Sequence, residues 1–127
     1  MTVFLAGASG LVGAAVAESA ARRGHRVVGV VGTYAGEIPG LATKLALDLT
    51  DVVAVSTAVL EHFPNAIFNC AAISSPDACE ADPARAQALN VTLPAALARL
   101  AHHLSARFVH VSSEQVFDGM RPTLYAA

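Results

Sequence analysis

The stretch Gly7-Ala8-Ser9-Gly10-Leu11-Val12-Gly13 decides the fold, because it follows the apolar run Val3-Phe4-Leu5-Ala6 and opens a helical pattern. In such a turn, Gly7 permits a sharp change of direction, Gly10 lets the backbone approach a pyrophosphate, and Gly13 allows the helix to pack close to the strand. The helix N-terminus then presents free N–H groups and partial positive charge to phosphates. The stretch predicts a dinucleotide-binding loop, and an ordinary βα turn without a ligand is the alternative.

Apolar runs alternate with helical patterns along the rest of the chain. The predicted strands cover residues 2–6, 25–31, 44–47, 66–71 and 107–111. The predicted helices cover residues 11–23, 50 or 51 to 62, and 83–103, with Asp82 as N-cap and Pro83 in the first turn of the last one. Residues 74–82 are predicted to form a loop with room for one helical turn.

Continuously apolar strands separated by helices predict an α/β fold, a doubly wound parallel sheet in the order 3-2-1-4-5. From residue 112 onward the sequence is typical of a loop, whereas a complete sheet of this kind usually has a sixth strand. We therefore expect the sheet to be incomplete at the C-terminus and the chain to be part of a longer protein.

Composition excludes several classes of partner. The 127 residues suggest one domain, and 54% of them are hydrophobic. The net charge of −2, without any Lys/Arg-rich run, argues against nucleic-acid and membrane partners, and no apolar run is long enough to span a bilayer.

Neither the five histidines nor Cys70 and Cys79 have the spacing of metal ligands, so no metal site is expected. No basic residue precedes the apolar N-terminus, which favours a cytoplasmic protein with reduced thiols over a secreted one.

Four segments resemble, in order and spacing, the extended short-chain dehydrogenase/reductase family of oxidoreductases. They are residues 7–13, Leu47-Asp48-Leu49, Asn69-Cys70-Ala71-Ala72, and Val111-Ser112-Ser113-Glu114-Gln115-Val116-Phe117-Asp118-Gly119. The ending Val-Phe-Asp-Gly is most similar to the dTDP-4-dehydrorhamnose reductase branch, the sugar-nucleotide reductases. The resemblance implies that residues 1–127 form an NAD(P)-binding Rossmann domain, with the substrate domain outside this chain.

The resemblance also implies roles for individual residues in cofactor binding. Leu11 and Val12 supply backbone N–H groups to the pyrophosphate beside the three glycines, and Ser9 belongs to the same loop. Asp48 accepts from the adenine amino group with Leu49 beside it, and Ala71 and Ala72 line the path of the ribose and nicotinamide. Asn90 corresponds to the family's structural asparagine. For Asp48 a helix-cap or turn residue is the alternative, and for Asn90 a solvent-facing polar residue.

Ser113 matches the hydroxyl residue that, in the family, hydrogen-bonds the substrate carbonyl; a simple turn residue is the alternative. The family's proton donor is a Tyr followed four residues later by a Lys, and these residues lack that pair, because Ile38 stands four positions after Tyr34 and Tyr125 lies too near the end. Dehydratases of the same superfamily carry a carboxylate where Gln115 stands, and an amide cannot act as a base.

The end of the second predicted strand bears on the choice of dinucleotide. An acidic residue there selects NAD, and residues 30–34 contain none. Thr33 is placed to donate to a 2′-phosphate, which favours NADP over NAD.

Three functional hypotheses follow. The first is an NAD(P)-dependent reductase of a keto-sugar nucleotide, the second is a non-catalytic NAD(P)-binding or regulatory module, and the third is a sugar-nucleotide epimerase. The expected partners are a dinucleotide, a nucleotide-sugar substrate and a second copy of the chain, since apolar surface beyond the fifth strand is left uncovered.

Overall fold

Five parallel strands form one sheet in the order β3-β2-β1-β4-β5 in the computed structural model, which describes residues 1–125. The strands are β1 (Thr2–Ala6), β2 (Arg26–Val30), β3 (Thr43–Leu45), β4 (Ala66–Asn69) and β5 (Arg107–His110). The helices are α1 (Leu11–Arg22), α2 (Val52–His62), α3 (Pro76–Ala81), α4 (Pro83–Gln87) and α5 (Leu93–His103), with a π turn at Ala88–Thr92 and a 3₁₀ turn at Glu114–Val116. The predicted doubly wound parallel sheet and its strand order are confirmed.

Helices cover both faces of the sheet, and this explains why consecutive residues of the central strands are apolar. Phe4 faces the layer of α2 and α5, where it is buried in one cluster with Val59 and Leu97. Leu5, the next residue, faces the opposite side and is buried in a second cluster with Ala17 of α1. Successive side chains of a strand point to opposite faces. A strand with one exposed face alternates apolar and polar residues, whereas a strand buried on both faces is apolar at consecutive positions.

Several strand ends differ from the prediction. β4 ends at Asn69 rather than at residue 71, because the Asn69 side chain accepts a hydrogen bond from Ala71 N at 3.1 Å and turns the backbone away. β3 covers Thr43–Leu45 rather than residues 44–47, and β5 ends one residue early, at His110. Of the two predicted caps of α2, Asp51 is the N-cap, since its side chain accepts from Ala54 N at 3.0 Å.

The long predicted helix is interrupted by the π turn. It begins as expected, with the Asp82 side chain accepting from Arg85 N and Pro83 in the first turn. Pro94 has no N–H to donate, and its ring would collide with the carbonyl of Asn90 in a regular α-helix. The wider π turn, in which Leu93 N donates to Ala88 O, removes that conflict. The predicted loop 74–82 also contains a complete short helix, α3, whose cap and proline are standard start signals.

Residues 111–125, which follow β5, lie on the surface. The 3₁₀ turn is followed by a turn in which Tyr125 Oη donates to Asp118 Oδ1 at 2.5 Å. Within the described residues, no helix has both the length and the apolar content needed to cross a membrane.

Candidate functional site

The structure explains differently why a glycine stands at each of the three positions of the loop. Gly7 adopts a φ of +80°, and a Cβ there would lie 2.7 Å from Ala71 N. At Gly13 a Cβ would lie 2.1 Å from Gly7 O, so only glycine lets α1 pack against the end of β1. Gly10 has an ordinary φ of −77°, and its added Cβ would meet only Gly7 O, at 3.5 Å. The fold therefore requires Gly7 and Gly13, whereas the open space at Gly10 is available to a ligand.

The N-terminus of α1 leaves donors free beside this loop. The first intrahelical bond runs from Ala14 N to Gly10 O at 2.9 Å, so Leu11, Val12 and Gly13 have no acceptor for their N–H groups within the helix. Gly10 provides no side-chain cap, and no acidic residue stands in the first turn. An anion placed here would meet unpaired donors and the positive end of the helix dipole.

A cleft of about 930 Å³ opens at the carboxyl ends of the strands, where the strand order reverses after β1. Ligands of doubly wound sheets bind at this switch point, and the volume lies within the range of small-molecule sites. The structure brings eight of the sequence-predicted residues to its walls: Gly7, Ser9, Gly10, Thr33, Asp48, Leu49, Ala71 and Ala72.

A second cleft of about 480 Å³ adjoins the first, with which it shares Gly10, Cys70 and Ala72. Its walls contain the other sequence-predicted residues except the buried Gly13, namely Leu11, Val12, Asn90 and Ser113. The residues singled out from the sequence thus lie along one groove across the carboxyl edge of the sheet.

Asp48 forms a local turn and also lines the larger cleft. Its Oδ1 accepts from Thr50 N at 2.9 Å and from Thr50 Oγ1 at 2.8 Å, which is the turn role weighed as an alternative. These two bonds hold the pKa of Asp48 below its ordinary value, with a smaller contribution from the positive charge of Arg85. In residues 1–125 its Oδ2 accepts no hydrogen bond, so the turn leaves an acceptor for a ligand.

We expect Thr50→Val to raise the pKa of Asp48 toward its ordinary value, since the Oγ1 donor is lost while the backbone donor remains. A lowered carboxyl pKa contributes stability above the unfolded-state pKa and loses it as pH falls through the folded-state pKa. The stability difference between wild type and variant should therefore be present at neutral pH and vanish in acid. Carboxyl ¹³C NMR titration measures the pKa; Thr57→Val, whose hydroxyl bonds only Val53 O, is the control. An unchanged Asp48 titration in Thr50→Val would contradict this account.

Asn90 is half-buried in the π turn and not solvent-facing, so that alternative is wrong. Its Oδ1 accepts from Ile73 N at 2.9 Å, and its Nδ2 donates to Ile73 O at 3.0 Å. The side-chain amide of Asn90 therefore binds both the backbone N–H and the backbone C=O of Ile73. The bonds fix the segment after β4, which carries Ala71 and Ala72, against the helical layer.

Ser113, Ser9 and Thr33, three further predicted residues, have different surroundings. Ser113 caps the 3₁₀ turn, with its Oγ accepting from Gln115 N at 3.2 Å and donating to Glu114 Oε2 at 3.3 Å, so its contacts are those of a turn residue. Ser9 Oγ donates to Val31 O at 3.5 Å and ties the glycine loop to the end of β2. Thr33 is exposed at the rim of the larger cleft.

Sequence reasoning missed several cleft residues. Arg85 supplies the one cationic side chain that the described residues place on the larger cleft, which Asp48 also lines. Its position on α4 depends on the π turn that follows, and the sequence pattern did not show that turn. Cys70 lines both clefts, and its burial raises the pKa of its thiol, so the thiol stays protonated at neutral pH. In the described part of the chain, no group of three or more His, Cys, Asp or Glu side chains is arranged to hold a metal ion.

The strand order and the cleft at its switch point define a Rossmann-type α/β domain. Residues 1–127 match the family described as the RmlD substrate binding domain, and the chain belongs to that family. The sequence-based resemblance to sugar-nucleotide reductases is therefore confirmed at the level of the family.

Similar proteins support the same family. The chain is 36% identical over 126 residues to a probable low-salt glycan biosynthesis reductase (Agl14) of Haloferax volcanii, covering 98% of this chain and 41% of that protein. It is 32% identical to the dTDP-4-dehydrorhamnose reductase of Mycolicibacterium smegmatis and 35% identical to the methionine adenosyltransferase 2 subunit beta of Xenopus laevis. These two matches include 97% and 94% of this chain, but only 34% of the length of each relative.

Solved structures show the same fold. A hypothetical dTDP-4-dehydrorhamnose reductase from Sulfolobus tokodaii superimposes with a TM-score of 0.83 at 28% identity, covering 98% of this chain and 44% of that one. A UDP-glucose 4-epimerase of Thermotoga maritima also gives a TM-score of 0.83, but at 20% identity it supports the fold alone. The chain thus spans well under half the length of these relatives.

Proposed function

We propose that this chain is the dinucleotide-binding part of an NAD(P)-dependent reductase that acts on a keto-sugar nucleotide. The observation that carries the proposal is the glycine loop, whose Gly10 leaves an open approach to the free N–H groups of α1 at the switch point of the sheet. A dinucleotide fits beside this loop because the space next to Gly10, unlike that next to Gly7 and Gly13, is not occupied by other atoms of the protein. The bound cofactor would supply the hydride.

The residues of the chain would bind and orient the two ligands. The N–H groups of Leu11 and Val12 would bind the pyrophosphate, and the free Oδ2 of Asp48 would accept from the adenine amino group. In the smaller cleft, the Ser113 hydroxyl would exchange its weak 3.3 Å bond to Glu114 for a bond to the substrate carbonyl, which polarises that carbonyl. Ala71 and Ala72, held through Asn90, would form the wall between the two ligands.

We propose NADP as the preferred dinucleotide. The wall beside the end of β2 is formed by Val31, Gly32 and Thr33, none of which carries a negative charge that would repel a 2′-phosphate. The exposed Thr33 hydroxyl provides a donor at the same rim. Three solved enzymes at 22% to 24% identity to this chain were crystallised with NAD; their likeness shows the fold and does not distinguish the two forms of the cofactor.

A non-catalytic NAD(P)-binding module is the second candidate. The similarity to a methionine adenosyltransferase subunit favours it. Lys44, the single lysine in the sequence, donates through Nζ to Ala35 O at 3.2 Å and to Gly36 O at 3.1 Å and so holds a loop. The epimerase hypothesis rests on the fold alone.

Titration of NADPH and NADH into the purified chain tests dinucleotide binding directly. The chain contains no Trp, so the fluorescence of the reduced nicotinamide is observed without a tryptophan background. We expect micromolar or tighter binding, with NADPH preferred over NADH. No binding of either would overturn both candidates, and equal affinities would overturn the NADP preference.

The product of the natural gene then separates the two candidates. Its intact mass is compared with the 13.0 kDa of these residues, and its oxidation of NADPH is followed with a keto-sugar nucleotide. Turnover supports the reductase. Binding without turnover supports the module.

We also propose that copies of the chain associate through the open edge of β5. Val109 and Val111 are each 42% exposed at this edge, and β5 pairs only with β4 in the described part of the chain. Exposed apolar side chains beside an unpaired strand favour edge-to-edge contact. Light scattering should show a concentration-dependent increase in mass, and a monomer at all concentrations would contradict it.

A cytoplasmic location is part of the same proposal. Cys70 and Cys79 are both free thiols, although both line the smaller cleft. Free thiols are the rule in a reducing compartment.

A further inference from the structure

Asn69 is the one fully buried polar side chain of the described residues. The orientation of its amide is fixed by Ala71 N, which lies 3.1 Å from the side-chain oxygen. A backbone N–H can only donate, so the atom it reaches must be the oxygen and not the amide nitrogen. The Asn69 Nδ2 therefore points the other way, toward β5.

His110 is the partner of that amide nitrogen. Its Nδ1 lies 3.2 Å from Asn69 Nδ2. An amide nitrogen offers donors only, so Nδ1 must accept through its lone pair, and the proton of the neutral ring must be on Nε2. The tautomer of His110 is thus determined by the backbone of residue 71, through Asn69.

The His110 ring is also fixed in position. His110 is the register partner of Asn69 at the end of β5, and its ring lies parallel to that of Phe108, with an interplanar angle of 5° and centroids 6.3 Å apart. Phe108 in turn packs against the main core cluster. Two independent contacts therefore hold the ring, one in its plane and one across its face.

His110 also lines the smaller cleft, together with Ser112, Ser113 and Gln115. Because Nδ1 points inward to a buried partner, Nε2–H on the far edge points outward, and nothing in the described chain accepts from it. His110 itself is exposed, so its Nε2–H is accessible from solvent. A donor that is oriented by a buried partner and has no acceptor within the described chain is available to a ligand.

We propose that His110 is a fixed hydrogen-bond donor to the substrate, with its Nε2–H binding a carbonyl or hydroxyl oxygen of the sugar in the smaller cleft. A neutral donor favours an uncharged oxygen, whereas a phosphate would be favoured by a cation. The donor acts beside the Ser113 hydroxyl, so the two groups would bind one sugar from the same wall. The inference rests on the proposed reductase function and assigns a specificity residue to its substrate.

The tautomer is tested first, without ligand, by long-range ¹H–¹⁵N NMR of the histidine rings in the chain. The expected spectrum shows His110 protonated on Nε2 with Nδ1 unprotonated. A carboxylate at position 69 would accept from the ring, so Asn69→Asp should move the proton to Nδ1. A wild-type ring protonated on Nδ1, or a mixture of both tautomers, would overturn the inference whether or not the variant folds.

Two variants of His110 then separate its two contacts in the product of the natural gene. His110→Asn keeps an acceptor for Asn69 Nδ2 but has no donor at the Nε2 position, whereas His110→Gln places an amide donor there. We expect kcat/KM for the keto-sugar nucleotide to fall about tenfold in His110→Asn, the effect of one lost hydrogen bond, and to stay within about threefold in His110→Gln. The KM for NADPH should not change in either, and His103→Gln, exposed at the end of α5, is the control.

The outcomes distinguish this inference from the proposed function. Equal activity of wild type and His110→Asn would overturn the inference alone, as would equal losses in both His110 variants together with lower thermal stability, which indicate a structural role. An inactive wild-type protein would overturn the reductase function and, with it, the inference.

Discussion

Replacing Gly13 with alanine is expected to lower the free energy of unfolding by about 3 kcal/mol, the upper part of the range for overpacking a rigid site. The added Cβ would lie 2.1 Å from Gly7 O and 2.9 Å from Gly7 C, and both atoms belong to the backbone. No rotamer change relieves such a contact, so α1 must move away from β1 or the loop must open. Urea denaturation, analysed as a two-state transition, measures the loss.

Gly24→Ala is the matched control for this variant. Gly24 follows the C-cap of α1 with a φ of +80°, but a Cβ there would meet no atom within 4 Å. Only backbone strain then acts, and it costs about 1 kcal/mol. If Gly13→Ala were no more destabilising than Gly24→Ala, close packing of α1 on the loop would not be the reason for the glycine.

Replacing Gly10 with alanine is expected to spare the fold and impair dinucleotide binding. The residue has an alanine-compatible φ of −77°, and the new Cβ would lie 3.5 Å from its nearest neighbour, Gly7 O. The same methyl group would occupy space that the pyrophosphate needs, and overpacking of about 1–3 kcal/mol corresponds to an NADPH complex that is roughly 5-fold to 150-fold weaker.

Fluorescence titration of NADPH and thermal denaturation of Gly10→Ala test this together. The expected result is a melting temperature close to that of wild type and a strongly reduced affinity. Unchanged affinity in a folded Gly10→Ala protein would mean that the dinucleotide does not approach the loop at this point, and the loop would need another ligand.

The sheet and its glycine loop were predictable because their signals are local. A strand that is apolar at every position must be buried on both faces, and a glycine turn between strand and helix fixes where the cleft opens. Leu5 and Phe4, adjacent in the sequence, were therefore assigned to a buried strand without knowledge of the two different clusters they enter. The strand order then followed from right-handed crossovers.

The remaining features depend on contacts between distant residues. Residues 70 and 71 are as apolar as those of β4, and only the side chain of Asn69, bonded to Ala71 N, ends the strand. The bond between Asn69 and His110 joins residues 41 positions apart, so no local pattern indicates it. For Asp48 the sequence suggested two alternative roles, a turn residue or a ligand-binding residue. The structure shows that its turn bonds and its place in the cleft are compatible.

The π turn between α4 and α5 has a consequence for how this sequence can change length. A π turn is equivalent to an α-helix with one residue inserted, and each α-helical residue adds about 100° of rotation. Deleting one residue from Ala88–Thr92 would therefore turn α4 about its axis and carry Arg85 away from the cleft, while Asn90 would lose Ile73. Substitutions at the exposed positions of this turn, such as Val91, should be tolerated in evolution, but single-residue deletions should be eliminated.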